Sequence, residues 1–292
     1  LSDSEIIALG NNPGVSSISP DKMFILKKPG TVPDEPAAQV TPYGITRVGG
    51  GATYTGGAKA WIIDTGIDLN HPDLNVNTTL SRTFVTRTTT AEDDNGHGSH
   101  CAGIVAAKNN DIGVVGVAAG AELVAVKVLD RRGSGAYSTI IAGVNYVAGN
   151  ASPGDAVNMS LGGGVSADID DAVIAMAGKG LFIALAAGNE SDNANYHSPA
   201  RANAPTIYTI SACGENDVWA YFSNYGNPPI DYCAPGMSIY STYKNGGYTT
   251  MSGTSMSAPH ACGVLLATGG HPKADGLVNG DPDGNPDPII HK

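Results

Sequence analysis

Aromatic and basic side chains are both scarce in this 292-residue chain. Only 6% of residues are aromatic, and 16 Lys and Arg stand against 27 Asp and Glu. The formal charge of -11 argues against a nucleic-acid partner, whose phosphates it would repel, and suits calcium binding or plain solubility. No apolar run approaches the ~20 residues of a membrane-spanning helix. No basic-then-apolar leader opens the sequence, so any such peptide is expected to have been removed or never present. Four cysteines are too few for a disulfide scaffold at this length, and none stands in a CxxC zinc pattern. Repeats of fixed period and low-complexity tracts are also missing. Glycine is abundant, with 39 residues, which suits tight turns and close backbone packing. A hydrophobic content of 41% is enough for one large α/β domain or two small ones.

Along the chain, "EIIALGNNPGVSSI" reads as a short helix, a turn at Asn11–Gly14 and a strand. The proline-rich "KKPGTVPDEPAAQVTP" that follows has the composition of a linker. From Lys59 onward, near-continuous apolar segments alternate with helical patterns. "AKAWIIDTGID" is a strand ending in Asp64, and "ELVAVKVLD" is one ending at Asp130. "DAVNMSLGG", "GLFIALAAGNE", "APTIYTISACG" and "IDYCAPG" are four more. "HGSHCAGIVAA", "STIIAGVNYVAG" and "ADIDDAVIAMAGKG" are the helices between them. This rhythm predicts an α/β fold of three layers, a mainly parallel sheet with helices on both faces. Ligands of such sheets collect beyond the carboxyl ends of the strands, where Asp64, Ser160 and Asn189 fall.

The segment "NGHGSH" carries two histidines three positions apart, a spacing open to a metal site, a catalytic base or a polar loop. A zinc-protease helix would read HExxH, and the acidic residue is missing. Taken with "IIDTGID" around Asp64 and "MSGTSMSAPHACG" around Ser255, the segment resembles the subtilisin-like serine proteases, between their bacterial subtilisin and proteinase K-like branches. The resemblance covers most of residues 38–267, and the Asp…His…Ser order is the one known in subtilisin. It implies a triad of Asp64, His97 and Ser255, with Asn189 in "LAAGNES" as the oxyanion amide and His100 as a structural companion of His97. The chemistry agrees. A serine hydroxyl needs a base to take its proton, a histidine titrates near neutrality, and a buried carboxylate fixes its tautomer.

The same resemblance implies that substrate binds as an added strand between Gly133-Ser134-Gly135 and Ser160-Leu161-Gly162. Tyr137 and Leu161 would wall the pocket four residues before the cut. The primary pocket would be lined by Ala187, Gly188 and "NANYHSPA", with no buried acid evident, so apolar or aromatic preference is expected. A structural calcium site would draw on Gln39, Asp73 and Asn110 with the carbonyls of Lys108, Ile112 and Val114. A second site would pair Asp231 with the carbonyls of Pro205 and Ile207. The proteinase K disulfides do not match these cysteines. A Cys213–Cys233 bridge is plausible from their strand-like segments, while Cys101 and Cys262 stay open between free and paired.

Residues 1–37 resemble the close of a subtilase inhibitory prodomain plus a linker, and 38–292 the catalytic domain, with an atypical Asp/Gly-rich loop at 268–292. The expectation is a secreted, monomeric, calcium-stabilised endopeptidase acting on proteins and peptides, inhibited by its own prodomain, with no nucleic-acid or membrane partner. Two alternatives are a precursor-processing or transpeptidating subtilase and a catalytically silent peptide-binding homologue. Intact triad residues and the absence of a large inserted lid count against them.

Overall fold

The strand formed by Ala60–Asp64 is buried along its whole length, because both faces of the sheet it belongs to are covered. Trp61 and Ile63 enter one core while Ala60 and Ile62 enter the other, as the two-residue period of a strand requires. Val124 and Val126 alternate with Leu123 and Ala125 in the same way. This computed structural model describes residues 1–26 and 38–292. In it a nine-stranded sheet runs Lys273–Leu277, Pro288–His291, Ile230–Pro235, Ile207–Cys213, Phe182–Ala186, Ala156–Met159, Ala60–Asp64, Leu123–Lys127, Arg82–Thr83. Every neighbouring pair is parallel except the outermost, Lys273–Leu277 against Pro288–His291.

Helices His97–Ala106 and Thr254–Thr268 supply one core, with Cys101, Ile104, Cys262 and Leu265 at 0–2% exposure. Helices Tyr137–Asn150 and Ala167–Ala177 supply the other through Ile140, Val144, Ile169 and Val173. The three-layer α/β architecture expected from the sequence is therefore the one present. No helix among the described residues is long and apolar enough to cross a membrane.

Several local expectations need correction. The strand expected to reach Asp130 stops at Lys127, and Asp130 instead accepts the N–H groups of Arg132 and Ser134 to close a turn. After the N-terminal helix Asp3–Gly10 the strand lies at Met23–Ile25, beyond the "GVSSI" stretch. The tail expected to be a loop forms two strands at one edge of the sheet, where Ile289 and Ile290 are apolar and fully buried. All four cysteines are free thiols. Cys213 and Cys233 do lie on adjacent strands, in one small apolar cluster. The proline-rich linker at 27–37 lies outside the described residues.

Candidate active site

Asp64 is the last residue of its strand, fully buried, and its position at a carboxyl end follows from the parallel sheet. His97 is the first residue of its helix, after Gly96 at φ +113°, where a Cβ would run into the Tyr243 ring. The two meet with Nδ1 of His97 2.8 Å from Asp64 Oδ1 and 2.9 Å from Oδ2. Burial disfavours the charged imidazolium, yet the adjoining Asp64 carboxylate and the Cys101 sulfur together outweigh it and hold the His97 pKa well above the ordinary histidine value. Thr65 N–H donates to the same Asp64 Oδ1 at 2.6 Å and helps to hold the carboxylate in place.

Ser255 is the second residue of the helix that begins at Thr254. Its hydroxyl donates to the Ser160 carbonyl at 3.3 Å, and the Ser160 hydroxyl donates back to the Ser255 carbonyl at 2.8 Å. The Cys101 thiol reaches the same carbonyl at 3.3 Å, so carboxylate, imidazole and thiol of Asp64, His97 and Cys101 lie within 4.8 Å of one another. Asn189 Oδ1 accepts from the Thr254 N–H at 2.8 Å and from its hydroxyl at 3.1 Å. A Cβ built on Gly253 would touch Asn189 Nδ2 at 3.8 Å and Ser255 N at 3.7 Å, so the two expected oxyanion donors border one point.

These groups open onto a cleft of about 1000 Å³, lined by His97, Ser160, Leu161, Gly162, Ala187, Gly188, Asn189 and Ser255. The N-terminal segment already lies in it. Met23–Ile25 pairs antiparallel with Ser134–Ala136, in the register Phe24 to Gly135, and Leu26 N–H donates to the Gly133 carbonyl at 2.8 Å. Phe24 and Leu26 pack against the apolar cluster that includes Tyr137 and Leu161. Asp21 caps the adjacent helix by accepting from the Ser138 N–H and hydroxyl at 2.9 and 2.6 Å. Ser17 and Ser19 both donate to Asp168.

A sequence model of the subtilase family matches residues 56–273. The chain belongs to the subtilase family. It is 38% identical over 279 residues to a cuticle-degrading protease of Metarhizium anisopliae, covering 90% of this chain and 68% of that one. The match to the alkaline serine protease ver112 of Corniculantispora psalliotae is 37% identical, covering 90% and 69%. The crystal structure of a cold adapted subtilisin-like serine proteinase superposes with a TM-score of 0.74 at 33% identity, covering 85% of this chain and 97% of that one. This subtilase is thus a serine peptidase by family.

Other groups of this subtilase escaped the sequence reading. Asp93, 3% exposed, accepts five hydrogen bonds at 2.7–3.0 Å, from the Thr65 hydroxyl, Asn95 N–H, Gly96 N–H, Ser99 N–H and Ser99 hydroxyl. It ties the segment after Asp64 to the start of the histidine helix. Lys127 is fully buried and donates to the carbonyls of Thr65 and Leu129 at 2.5 and 3.1 Å and to Asp94 at 2.6 Å. His100 points away from the cleft, to the carbonyls of Ile239 and Thr249, both at 3.1 Å. The cleft is also lined by Glu190, an exposed acid, and by His197 of the "NANYHSPA" segment.

Of the residues expected to hold calcium, Gln39, Asp73, Asn110, Lys108 and Val114 fall together. Gln39 Nε2 donates to Lys108 O at 2.8 Å, Asn110 Oδ1 at 3.2 Å and Val114 O at 3.4 Å, so three oxygens converge on one point. Beside them Asp73 accepts from Asn110 Nδ2 at 2.8 Å and Val114 N–H at 3.0 Å, and burial raises its pKa. Turned over, the Gln39 amide would present a further oxygen to the same point. Gly113, following Ile112, sits at φ +63°, where a Cβ would collide with Asp73. At the other expected site, Asp231 accepts from Thr209 N–H at 2.9 Å, next to the strand start that Pro205 and Ile207 lead into. Burial, with a contribution from Asp287, pushes the Asp231 pKa up to about 6.

Proposed function

We propose that this subtilase is an endopeptidase in which Ser255 attacks the scissile carbonyl while His97 takes its proton. Asp64 holds the imidazole in the tautomer with Nδ1–H inward and stabilises the imidazolium that forms. The Asn189 side-chain amide and the Ser255 N–H stabilise the oxyanion. His97 then returns the proton to the leaving amine, and water resolves the acyl-enzyme by the same route. The observation that carries this reading is the double contact between Asp64 and His97, at 2.8 and 2.9 Å, with His97 lining the cleft that Ser255 and Asn189 also line.

Substrate pairs with Gly133–Gly135 as an extended strand, as Met23–Leu26 does, and apolar side chains pack toward Tyr137 and Leu161. Preference is broad and apolar. Residues 1–37 are read as prodomain remnant and linker, inhibiting the 38–292 domain by occupying its groove. Calcium at Gln39, Asp73, Asn110 and the carbonyls of Lys108, Ile112 and Val114 clamps the fold, with Pro205, Ile207 and Asp231 as a second candidate site. The enzyme is secreted and monomeric.

Intact mass tests the assembly. Active protein is expected to lose the residues before about Ala38, and the Ser255→Ala protein to keep them. Active protein that retains Leu1 through prolonged incubation would show the segment to be a permanent arm.

A further inference from the structure

The segment "DPDGNPD", residues 281–287, joins the edge strands Lys273–Leu277 and Pro288–His291 and lies beyond residue 273, where the match to the family ends. Asp281, Asp283, Asn285 and Asp287 alternate along it. Calcium loops of the EF-hand kind carry oxygen side chains at the same first, third and fifth positions. Here the sixth position is Pro286 where such loops have glycine, and the twelfth is Lys292 where they have glutamate, so this is no EF-hand. The deciding feature is Asp287, which is 1% exposed. Its Oδ2 accepts from the Ser211 hydroxyl at 2.5 Å, while its Oδ1 has no hydrogen-bond partner. The Asn227 side chain beside it donates instead to the Asn285 carbonyl at 3.3 Å. The parallel register that sets Cys233 beside Ile289 carries Asp231 alongside Asp287. Among the described residues, no lysine, arginine or histidine forms an ion pair with Asp231, Asp281, Asp283 or Asp287. Backbone bonds nevertheless fold the tail acids toward one another. The N–H groups of Asp283 and Asp287 donate to Asp281 at 3.2 and 3.4 Å, and that of Asn285 donates to Asp283 at 2.8 Å. Burial, with repulsion from Asp287 and Asp283, pushes the Asp281 pKa up to about 6. A buried carboxylate with one bare oxygen, set among other carboxylates and no cation, fits a metal ligand, because burying an unpaired charge is costly.

We propose that residues 281–287 bind a calcium ion, with Asp287 Oδ1 as the buried ligand and Asp281, Asp283 and Asn285 closing over it from the solvent side. Three carboxylates and an amide oxygen are hard donors, which exclude a soft metal. Calcium tolerates six to eight oxygens in irregular arrangements, whereas magnesium demands a near-ideal octahedron. Among the described residues, the Asp64, His97 and Cys101 group alone has three such ligand atoms within 4.8 Å of one another. The tail carboxylates therefore stand wider and draw in around the ion. The site is distinct from the Asp231 candidate, which would use the carbonyls of Pro205 and Ile207 and none of the tail loop.

Calcium chloride added to chelator-stripped Ser255→Ala protein, which cannot digest itself, provides the test. Bound calcium is counted by equilibrium dialysis at about 1 mM free ion, within the range of weak extracellular sites. The variant carrying Asp281→Asn and Asp283→Asn together should bind one ion fewer than its parent. The same difference of one should persist when both proteins also carry Asp231→Asn. Calcium should slow hydrogen exchange across residues 278–287 at least threefold in the parent and leave it unchanged in the double variant. Asp283→Asn alone alters one exposed carboxylate and should fold even where the double variant does not. It should raise the calcium concentration for half-occupancy of this site at least threefold. Equal counts in parent and double variant, or an unchanged half-occupancy in Asp283→Asn, overturn the proposal. A difference that vanishes in the Asp231→Asn background also overturns it, by giving the tail carboxylates to the Asp231 ion.

Discussion

Replacing Ser255 by Ala removes an oxygen whose hydrogen bond is to the Ser160 carbonyl, so the fold should survive and the chemistry should not. In subtilisin itself, loss of the corresponding serine costs about 10⁶ in turnover. A similar collapse is expected here, with no covalent labelling by a fluorophosphonate; labelling at another serine would refute the assignment. The pH profile gives a second prediction. His97 acts as a base only when neutral, and Asp64 holds its pKa above the ordinary value, so activity should rise through an acid limb lying above about pH 6.5. Asp64→Asn removes the charge that raises it. The limb of kcat/KM should move to lower pH while the rate falls by about 10⁴, because the imidazole loses its fixed tautomer. An unmoved limb would mean that another group sets it. Asp64, His97, Ser255 and Asn189 were singled out in the sequence by the resemblance of their motifs, such as "NGHGSH" and "MSGTSMSAPHACG", to those of the subtilases. Asp93 and Glu190 were not. Their surroundings in sequence are ordinary, and only folding brings Thr65 to Asp93 or His197 to Glu190.

The calcium-site loop and the N-terminal strand depend on partners distant in sequence. Gln39 meets Lys108, Asn110 and Val114 across 69–75 positions. A cation bound there would stabilise the native state by mass action, about 2.7 kcal/mol at a hundredfold excess over Kd. In the Ser255→Ala background, which cannot digest itself, chelation should therefore lower the unfolding temperature. Asp73→Ala should start from the lower temperature and respond less to chelator; equal responses in the two proteins would move the metal elsewhere. The strand at Met23–Ile25 was harder to locate, since three residues give too short a period to read. The sequence suggested a strand earlier, at "GVSSI", where Ser17 and Ser19 instead bond Asp168 through their side chains. The C-terminal pair was hidden for a related reason: Lys273–Leu277 is exposed throughout and shows no apolar pattern.

At the scale of the whole molecule, two fully buried histidines bear on acid stability. Burial lowers His100 to about 3 and His260 to about 4, against 6.5 when exposed. In the unfolded chain both take up protons below about pH 6.5 while the folded ones remain neutral, so stability is lost as pH falls, by about 1.4 kcal/mol per pH unit for each. Asp231 and Asp281 work the other way. Burial raises each to about 6, so the folded state takes up their protons first and gains stability as pH falls from there toward 4. The two effects overlap, and a bare pH-stability curve will not separate them. A difference between proteins will. His260 donates from Nδ1 to the Met256 carbonyl at 2.8 Å, inside its own helix, while its Nε2 lacks a hydrogen-bond partner. In the Ser255→Ala background, His260→Gln should be less stable at pH 7, where packing alone decides. It has no proton to exchange, so its deficit should shrink by about 2 kcal/mol at pH 5. The aspartates contribute equally to both proteins and cancel. Denaturant titrations at the two pH values measure the change, and a deficit that stays constant would show that His260 is already protonated inside the fold.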